Sequence, residues 1–501
     1  MKTSYILMII TILSKVFGLL REKALAYFFG AGLVADIFLI AFQLPMTFTN
    51  VISGAVANGY IPMYDRIKSD DGKVKADKFT TNLANILFVI SLVVTVFSII
   101  FAKPLVKLMA EGFTGEKLEL AVFVSRVAML SIAITAVSSI YKAYLQIYGK
   151  FIVSVLHSIL MNIIVIAAMA ISYKMGINYL AVGILLAFIL QYSIFILPIR
   201  RTGYRYRLAI DMKDSNIKKM FHDILPILIS TSAIEINFMI SRSLSSGLFV
   251  GGISTLNYAY KLQSFVTGIV VTSIITATYP KIAKFGSIKD KDGLKTSVTE
   301  ALSTMLILVI PAAFGLFTFS LPIVNLLFVG GEFTLKDAKI TAVVLSFFAF
   351  GVIGIGIREI ISRVFYSLDD SKTPVINSII IVGINIALSF IFSNILGIKG
   401  LALATTISFI VGAFALYISS TKLIGNIFDK KFIINIIKIT IASVLMSFIS
   451  KYFYNFLYDK LGSNLSLIAA ILVAGVVYLL SLILLRVDEI KELYNSFVKK
   501  S

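Results

Sequence analysis

What most limits the fold of this chain is a succession of apolar runs, each about 20 residues long, joined by segments no longer than about 20 residues. An apolar run of that length crosses the hydrocarbon core of a bilayer as an α-helix, and only helices or closed barrels satisfy every backbone N–H and C=O there. The runs fall near 4–28, 33–60, 79–102, 119–147, 151–173 and 177–199, then near 218–243, 254–280, 294–320, 337–367, 373–394 and 399–421, and finally near 432–456 and 463–486. The pattern predicts an all-α polytopic membrane protein with about 14 transmembrane helices. A mean hydropathy of +0.95 with only 14% charged residues leaves no segment for a soluble catalytic domain.

The net charge of +20 would suit a nucleic-acid binder, but the basic residues gather in short loops between spans, where they set topology instead. With the N-terminus inside, the inner segments hold roughly 27 Lys and Arg, notably in 66–78, 200–219 and 281–295, against about 9 outside, so both termini are expected to be cytoplasmic. No nucleic-acid partner is expected. Cysteine is absent and the two histidines, His157 and His222, are too few for a histidine-rich metal centre, so no cofactor or confident metal site is expected. The first run carries Lys15 and lacks a small-residue cleavage site, and it reads as a retained helix. The stretch 104–114 reads as a short interfacial helix on the outer side.

Several charges sit inside these spans. Each costs roughly 2.5 to 3.5 kcal/mol at a bilayer centre, so such residues normally face a bundle interior or a hydrated cavity. Lys15, Gly18 and Glu22 follow i, i+3, i+7 spacing on one helical face, with Arg21 on its flank, and a Gly-Ala-Gly turn at 30–32 leads into a second helix near Asp36. Farther on, Thr231, Glu235 and Arg242 share a face, and Asn257, Lys261, Ser264 and Gly268 recur at i, i+4, i+7 and i+11. Lys15, Arg21, Glu22, Asp36, Glu235, Arg242 and Lys261 are therefore the candidates for a cationic, substrate-binding cavity wall. The alternatives are snorkelling of Arg21 and Lys23 to the interface, local pairing of Glu22, and an interhelical hydrogen-bond seam in the second half. Arg358, Glu359 and Arg363 are read as a structural ion-pair group, and Gly330-Gly331-Glu332 as a loop without the Lys-Ser/Thr of a phosphate cradle. Neither Asp70-Asp71 nor Asp369-Asp370 is read as a metal site.

The chain also repeats itself. Tyr141-Lys142-Ala143-Tyr144 matches Arg363-Val364-Phe365-Tyr366, and Leu180-Ala181-Val182-Gly183 matches Leu401-Ala402-Leu403-Ala404, at offsets of about 221 or 222 residues that also carry Arg21 onto Arg242 and Asp36 onto Asn257. Six spans lie within the offset, so both halves keep one orientation and form a parallel repeat, with the cavity expected between them. The predicted division is 1–214 (helices 1–6), 215–426 (helices 7–12) and 427–501 (helices 13–14 and a cytoplasmic tail).

The run SKVFGLLREKALAYFFGAGLVADIFLIAFQLP at 14–45 resembles the opening signature of the MurJ (MviN) lipid II flippases, within the multidrug/oligosaccharidyl-lipid/polysaccharide (MOP) exporter superfamily. The segments YLQIYGKF, LAVGILLAFILQ before RRTGYRYRL, STLNYAYKLQSFVTGIVV with TYPKIAKF, and SRVFYSLDDSKTPV with GLALATTIS follow in the family's order across nearly the whole chain. The resemblance implies two six-helix lobes plus two helices, in a bacterial cytoplasmic membrane, exporting an undecaprenyl-diphosphate-linked peptidoglycan precursor by alternating access as a transporter rather than an enzyme. It maps Arg21 and Glu22 onto the family's functional Arg-Asp pair, Asp36 onto its acid in helix 2, and Lys261 onto its cavity arginine in helix 8. Where the family usually has an Arg-Arg pair after Leu-Pro-Asn, this chain reads Leu44-Pro45-Met46-Thr47-Phe48-Thr49-Asn50, and Ser241 stands where some members carry a sodium-binding aspartate. Asn385, Thr405 and Thr406 remain as weak ion-site candidates, with coupling to a monovalent cation or to the membrane potential.

The expected partners are a lipid-linked diphosphate oligosaccharide, membrane lipids and other cell-wall synthesis proteins. Two other readings stay open: a flippase for a different lipid-linked oligosaccharide and, more distantly, a drug/cation antiporter or a membrane glycosyltransferase. An antiporter cavity should be dominated by acids, whereas bases dominate here, and a glycosyltransferase needs catalytic acids on a sizeable loop.

Overall fold

The structure, a computed structural model, describes residues 2–206 and 210–487, apart from the side chains at 2–9, 53–58, 226, 227, 229, 230 and 233. The tail expected at 488–501 and the end of RRTGYRYRL lie outside the described residues. The chain divides into two compact units, Met1–Ser254 with Gly330–Phe333, and Thr255–Val329 with Thr334–Ser501.

The first unit contains α1 (Lys2–Phe29), α2 (Leu33–Asp71), α3 (Lys73–Ile100), α4 (Ala102–Met109), α5 (Gly115–Met129), α6 (Ile132–Ile147), α7 (Phe151–Met175), α8 (Ile177–Arg201), α9 (Ser215–Leu248) and the first turn of α10 (Gly252–Val266). The second continues α10 and adds α11 (Thr272–Ser287), α12 (Lys291–Thr318), α13 (Ser320–Phe328), α14 (Leu335–Ala349), α15 (Gly351–Ser367), α16 (Lys372–Leu396), α17 (Ile398–Ile424) and α18 (Lys430–Leu484). A π-helical turn, Thr267–Val271, joins α10 to α11, and α18 is interrupted at Gly462, whose φ of 71° is not helical. Among the described residues ten helices are long and apolar enough to cross a membrane, or eleven when the bent pair α5 and α6 is one span. The protein is a multi-pass helical membrane protein. Helix lengths recur at an offset of roughly 220 residues, with α3 and α12 both 28 residues, α5 and α14 both 15, and α7 and α16 both 25.

Two runs read as single helices, 119–147 and 337–367, are broken. α5 and α6 meet at a 42° bend around Leu130 and Ser131, and α14 gives way to α15 at Phe350. Neither break has a proline. At the first, the Leu130 and Ser131 N–H groups bond three residues back and the Ser131 hydroxyl donates to the Ala128 carbonyl at 2.7 Å, an alternative to the α-helical ladder that Ser offers its own backbone. In the stretch 104–114, expected to be a short interfacial helix, the structure has the end of the short helix α4, which starts at Ala102 and stops at Met109.

Within the first unit α7 and α8 approach closely because Gly183 has no side chain; a Cβ there would lie 2.1 Å from the Ala168 Cβ. One end of this unit is a buried cluster of tyrosines, in which Tyr64 and Tyr144 donate to the Asp77 carboxylate at 2.9 and 3.1 Å and Tyr64 meets the Tyr148 hydroxyl at 2.8 Å. Burial, then these hydrogen bonds, push the Tyr64 phenol up, so it stays a donor. In contrast Val93, Val96, Phe97 and Ile100 of α3 are exposed, as expected for a face that meets lipid rather than water.

Candidate functional site

The charged candidates of the first unit sit on α1, α2 and α9. Arg21 and Glu22 are adjacent on α1 and both buried, at 8% and 1% exposure, and the guanidinium Nη2 donates to Glu22 Oε1 at 2.5 Å. The same guanidinium lies 4.6 Å from the centre of the Phe42 ring, which stacks against Phe38 and Phe188. A carboxylate on one side and an aromatic face on the other hold a cation away from lipid. Arg21 Nε has no hydrogen-bond partner among the described residues, so the fork keeps an unused donor. Lys15 is half-buried two turns earlier, while Lys23 is exposed.

Asp36 and Glu235 are held by neutral donors. Asp36 is fully buried in the first turn of α2, where the N–H groups of Gly251 and Ser254 donate to its Oδ2 and Oδ1 at 2.8 and 2.7 Å. It thereby supplies a carboxylate to the first turn of α10 as well as to its own helix N-terminus, a location where the helix dipole favours negative charge. Glu235, 7% exposed on α9, accepts from Asn50 Nδ2 at 2.8 Å, Thr47 Oγ1 at 2.9 Å and Gln43 Nε2 at 3.2 Å. Gln43, Thr47 and Asn50 are spaced i, i+4, i+7 on α2 and present one polar stripe to the carboxylate. Two of these donors, Thr47 and Asn50, lie in the stretch Leu44–Asn50, where the family resemblance implies an arginine pair. Their helical spacing was a readable signal, although their partner lies 185 to 192 residues away along the chain.

Arg242 is half-buried on α9, six residues before that helix ends at Leu248. In the second unit Lys261 is half-buried on α10, four residues after the buried Asn257. The π-helical turn starts six residues beyond Lys261, and Thr267 donates back to the Ser264 carbonyl at 3.0 Å. Such turns are uncommon in helices and frequent near functional positions.

Of the ion-site candidates, Asn385 and Thr405 are brought together: Asn385 Nδ2 donates to Thr405 Oγ1 at 3.0 Å, and Thr405 donates to the Leu401 carbonyl. Ser389 donates to Asn385 Oδ1 at 3.1 Å. Thr406 turns elsewhere, donating to the Phe347 carbonyl at 2.7 Å. Asn385, Thr405 and Ser389 thus form a hydrogen-bonded seam from which Thr406 stands apart, and no cluster of three His, Cys, Asp or Glu suited to a metal occurs among the described residues. Arg363 pairs with Glu359 at 3.2 Å, as the i, i+4 spacing predicts. Asp370 accepts from the Thr373 N–H and hydroxyl, closing the turn before α16.

Comparison with known proteins bears on this arrangement. The family model described as lipid II flippase MurJ matches residues 25–482. A probable lipid II flippase MurJ of Rickettsia prowazekii is 28% identical over 485 residues, covering 95% of each chain. Another from Borreliella burgdorferi is 28% identical over 417 residues, covering 83% of this chain and 82% of that one. A solved lipid II flippase MurJ in an inward closed conformation superposes with a TM-score of 0.84 at 27% identity, over 96% of this chain and 99% of that chain. The fold extends to an inward-facing multidrug resistance MATE family transporter of the MOP superfamily, with a TM-score of 0.69 at 15% identity over 83% and 95% of the two chains. With a family match spanning the helices that carry all these residues except Lys15, Arg21 and Glu22, and with a relative aligned over 95% of the chain, the chain belongs to the lipid II flippase MurJ family.

Proposed function

We propose that this chain moves lipid II, an undecaprenyl-diphosphate-linked peptidoglycan precursor, from the inner to the outer leaflet by alternating access. The observation that carries this reading is the Arg21–Glu22 pair, buried in an apolar helix of a chain that belongs to this family of transporters. A guanidinium inside a span is costly unless function retains it, and a planar fork with an unused donor suits a diphosphate oxygen. In the resting state Glu22 and Phe42 hold the guanidinium; substrate phosphate displaces Glu22 and takes its place. We assign Lys15, Arg242 and Lys261 to the same kind of phosphate contact. Glu22 keeps Arg21 paired when no substrate is bound, and Asp36 and Glu235 keep the helices that carry these groups in register.

Moving two negative charges outward across an inside-negative membrane is favourable by roughly 4 to 5 kcal/mol per 100 mV, at about 2.3 for each charge. The emptied cationic site is drawn inward by the same field, so the potential can drive both half-cycles. We place the protein in the bacterial cytoplasmic membrane with both termini in the cytoplasm, in keeping with its basic inner loops.

The same reading takes the fold as fourteen spans. To the ten apolar helices it adds α1, α9 and the α5–α6 pair, and it counts α18 twice across Gly462. The recurring helix lengths support a parallel repeat of two six-helix lobes, 1–214 and 215–426, followed by two helices and a tail in 427–501.

A second reading, a flippase for a different lipid-linked oligosaccharide, is favoured by one observation: Thr47 and Asn50, in the stretch where the family resemblance implies an arginine pair, are neutral and donate to Glu235. Growth of a bacterium depleted of its own lipid II flippase separates the two. Rescue by this chain supports lipid II, and failure at normal membrane levels supports the second reading.

A further inference from the structure

A cavity of about 560 Å³ opens in the first unit between α3, α6 and α8, away from the charged residues discussed above. Its polar lining comprises Asn85, Tyr141, Tyr192, Arg200, Tyr204 and Tyr206. Arg200 lies at the end of the apolar helix Ile177–Arg201, the depth at which arginine and tyrosine meet lipid headgroups. Its guanidinium is exposed, makes no ion pair among the described residues, and has no acidic residue beside it in the lining. The Tyr192 hydroxyl is likewise without a hydrogen-bond partner among the described residues. Its neighbours are committed: Tyr206 donates to Asn85 Oδ1 at 2.7 Å, and Tyr204 meets the Thr81 hydroxyl at 2.7 Å. The remaining wall is apolar and open. Phe88 and Ile196 line the cavity at 44% and 43% exposure, continuing the exposed apolar rows of α3 and α8.

We propose that this cavity binds an anionic glycerophospholipid, with the phosphate held by Arg200 and the Tyr192 hydroxyl and an acyl chain lying along Phe88 and Ile196. A basic, tyrosine-rich pocket at a span's end matches a phosphodiester, and the volume is in the range of small-ligand sites. A free phosphate would use the arginine but leave the open apolar wall unpaired, so the lipid is the better occupant. The site is independent of the substrate carried and acts as a fixed lipid position beside the Asp77 tyrosine cluster.

Native mass spectrometry of the full chain, titrated with phosphatidylglycerol or phosphatidylcholine, tests this. One phosphatidylglycerol should be retained in preference to phosphatidylcholine. Arg200→Gln should weaken it by roughly fivefold to tenfold, and Tyr192→Phe, which removes only a hydroxyl, by about threefold. Arg201→Gln, exposed on the same helix but outside the lining, should leave it unchanged, which separates a built site from general surface charge. Equal affinities for the Arg200 and Arg201 variants would overturn the proposal, as would an unaffected Tyr192→Phe protein. Inorganic phosphate that displaces the lipid at millimolar concentration, and itself binds with the same dependence on Arg200, would identify a soluble-anion site and overturn the lipid assignment.

Discussion

The clamp on Glu235 gives the sharpest energetic test of the site as described. Removing the carboxylate with Glu235→Ala strips three donors of their acceptor, at 2.8, 2.9 and 3.2 Å. Hydrogen bonds to a charged group contribute about 1.5 to 3 kcal/mol each, but Gln43, Thr47 and Asn50 are only half-buried and recover part of this from water. A loss of roughly 3 kcal/mol is expected. Glu235→Gln keeps an acceptor for two donors and should lose only about 1 kcal/mol. Unfolding of the purified chain in detergent supplies these numbers, and two double-mutant cycles supply the partners. Glu235→Ala combined with Asn50→Ala should show coupling of about 1 to 2 kcal/mol, because the two share one hydrogen bond. Combined with Arg242→Gln it should be additive within about 0.5 kcal/mol, because no cation pairs with Glu235 among the described residues. Rescue of Glu235→Ala by Arg242→Gln would refute the clamp and make Arg242 the partner of Glu235.

Three further outcomes follow from the same geometry. Glu22→Ala leaves the Arg21 guanidinium buried without its carboxylate, so it should destabilise the protein by roughly 3 to 5 kcal/mol in a thermal or denaturant melt, with partial recovery in the Arg21→Ala/Glu22→Ala double variant. Recovery of transport in that double variant would sink the substrate role of Arg21. Asp36→Asn can accept well from only one of the two N–H groups of Gly251 and Ser254, and a loss of about 1 to 2 kcal/mol is expected in the same melt. Gly331→Ala should reduce membrane protein levels sharply: φ there is 57°, and a Cβ would sit 2.1 Å from the Tyr27 carbonyl oxygen, where Glu332 N–H closes the turn onto that same oxygen. A stable Gly331→Ala protein would show that this loop is not held against α1.

Ten of the spans, or eleven with the bent pair α5 and α6, were legible in the sequence because the bilayer leaves few alternatives for twenty apolar residues. Interruptions inside them were not: Leu130-Ser131 and Phe350 carry no proline, and a serine hydroxyl turned onto its own helix is invisible in composition. The site divides in the same way. Arg21 and Glu22 are neighbours in sequence, so their pairing could be anticipated from one helix. Asp36 reads as a charge that needs a charged partner, yet its partners are backbone N–H groups, which no residue name reveals. Gln43, Thr47 and Asn50 reveal a stripe by their spacing, but which carboxylate meets it depends on how α2 packs on α9, a register set by long-range contacts rather than by local pattern. Thr405 and Thr406 part for a related reason: adjacent threonines on a helix point about 100° apart, so one side chain faces Asn385 and the other the Phe347 carbonyl.

The most direct test is to measure lipid II at the outer surface of cells whose own flippase has been depleted, using an externally added enzyme that cleaves the exposed headgroup. With this chain expressed, cleavable lipid II should return to the level seen before depletion, and Arg21→Ala at equal membrane abundance should abolish that return. Lipid II that stays protected from the added enzyme while the unaltered chain is abundant in the membrane would contradict the account.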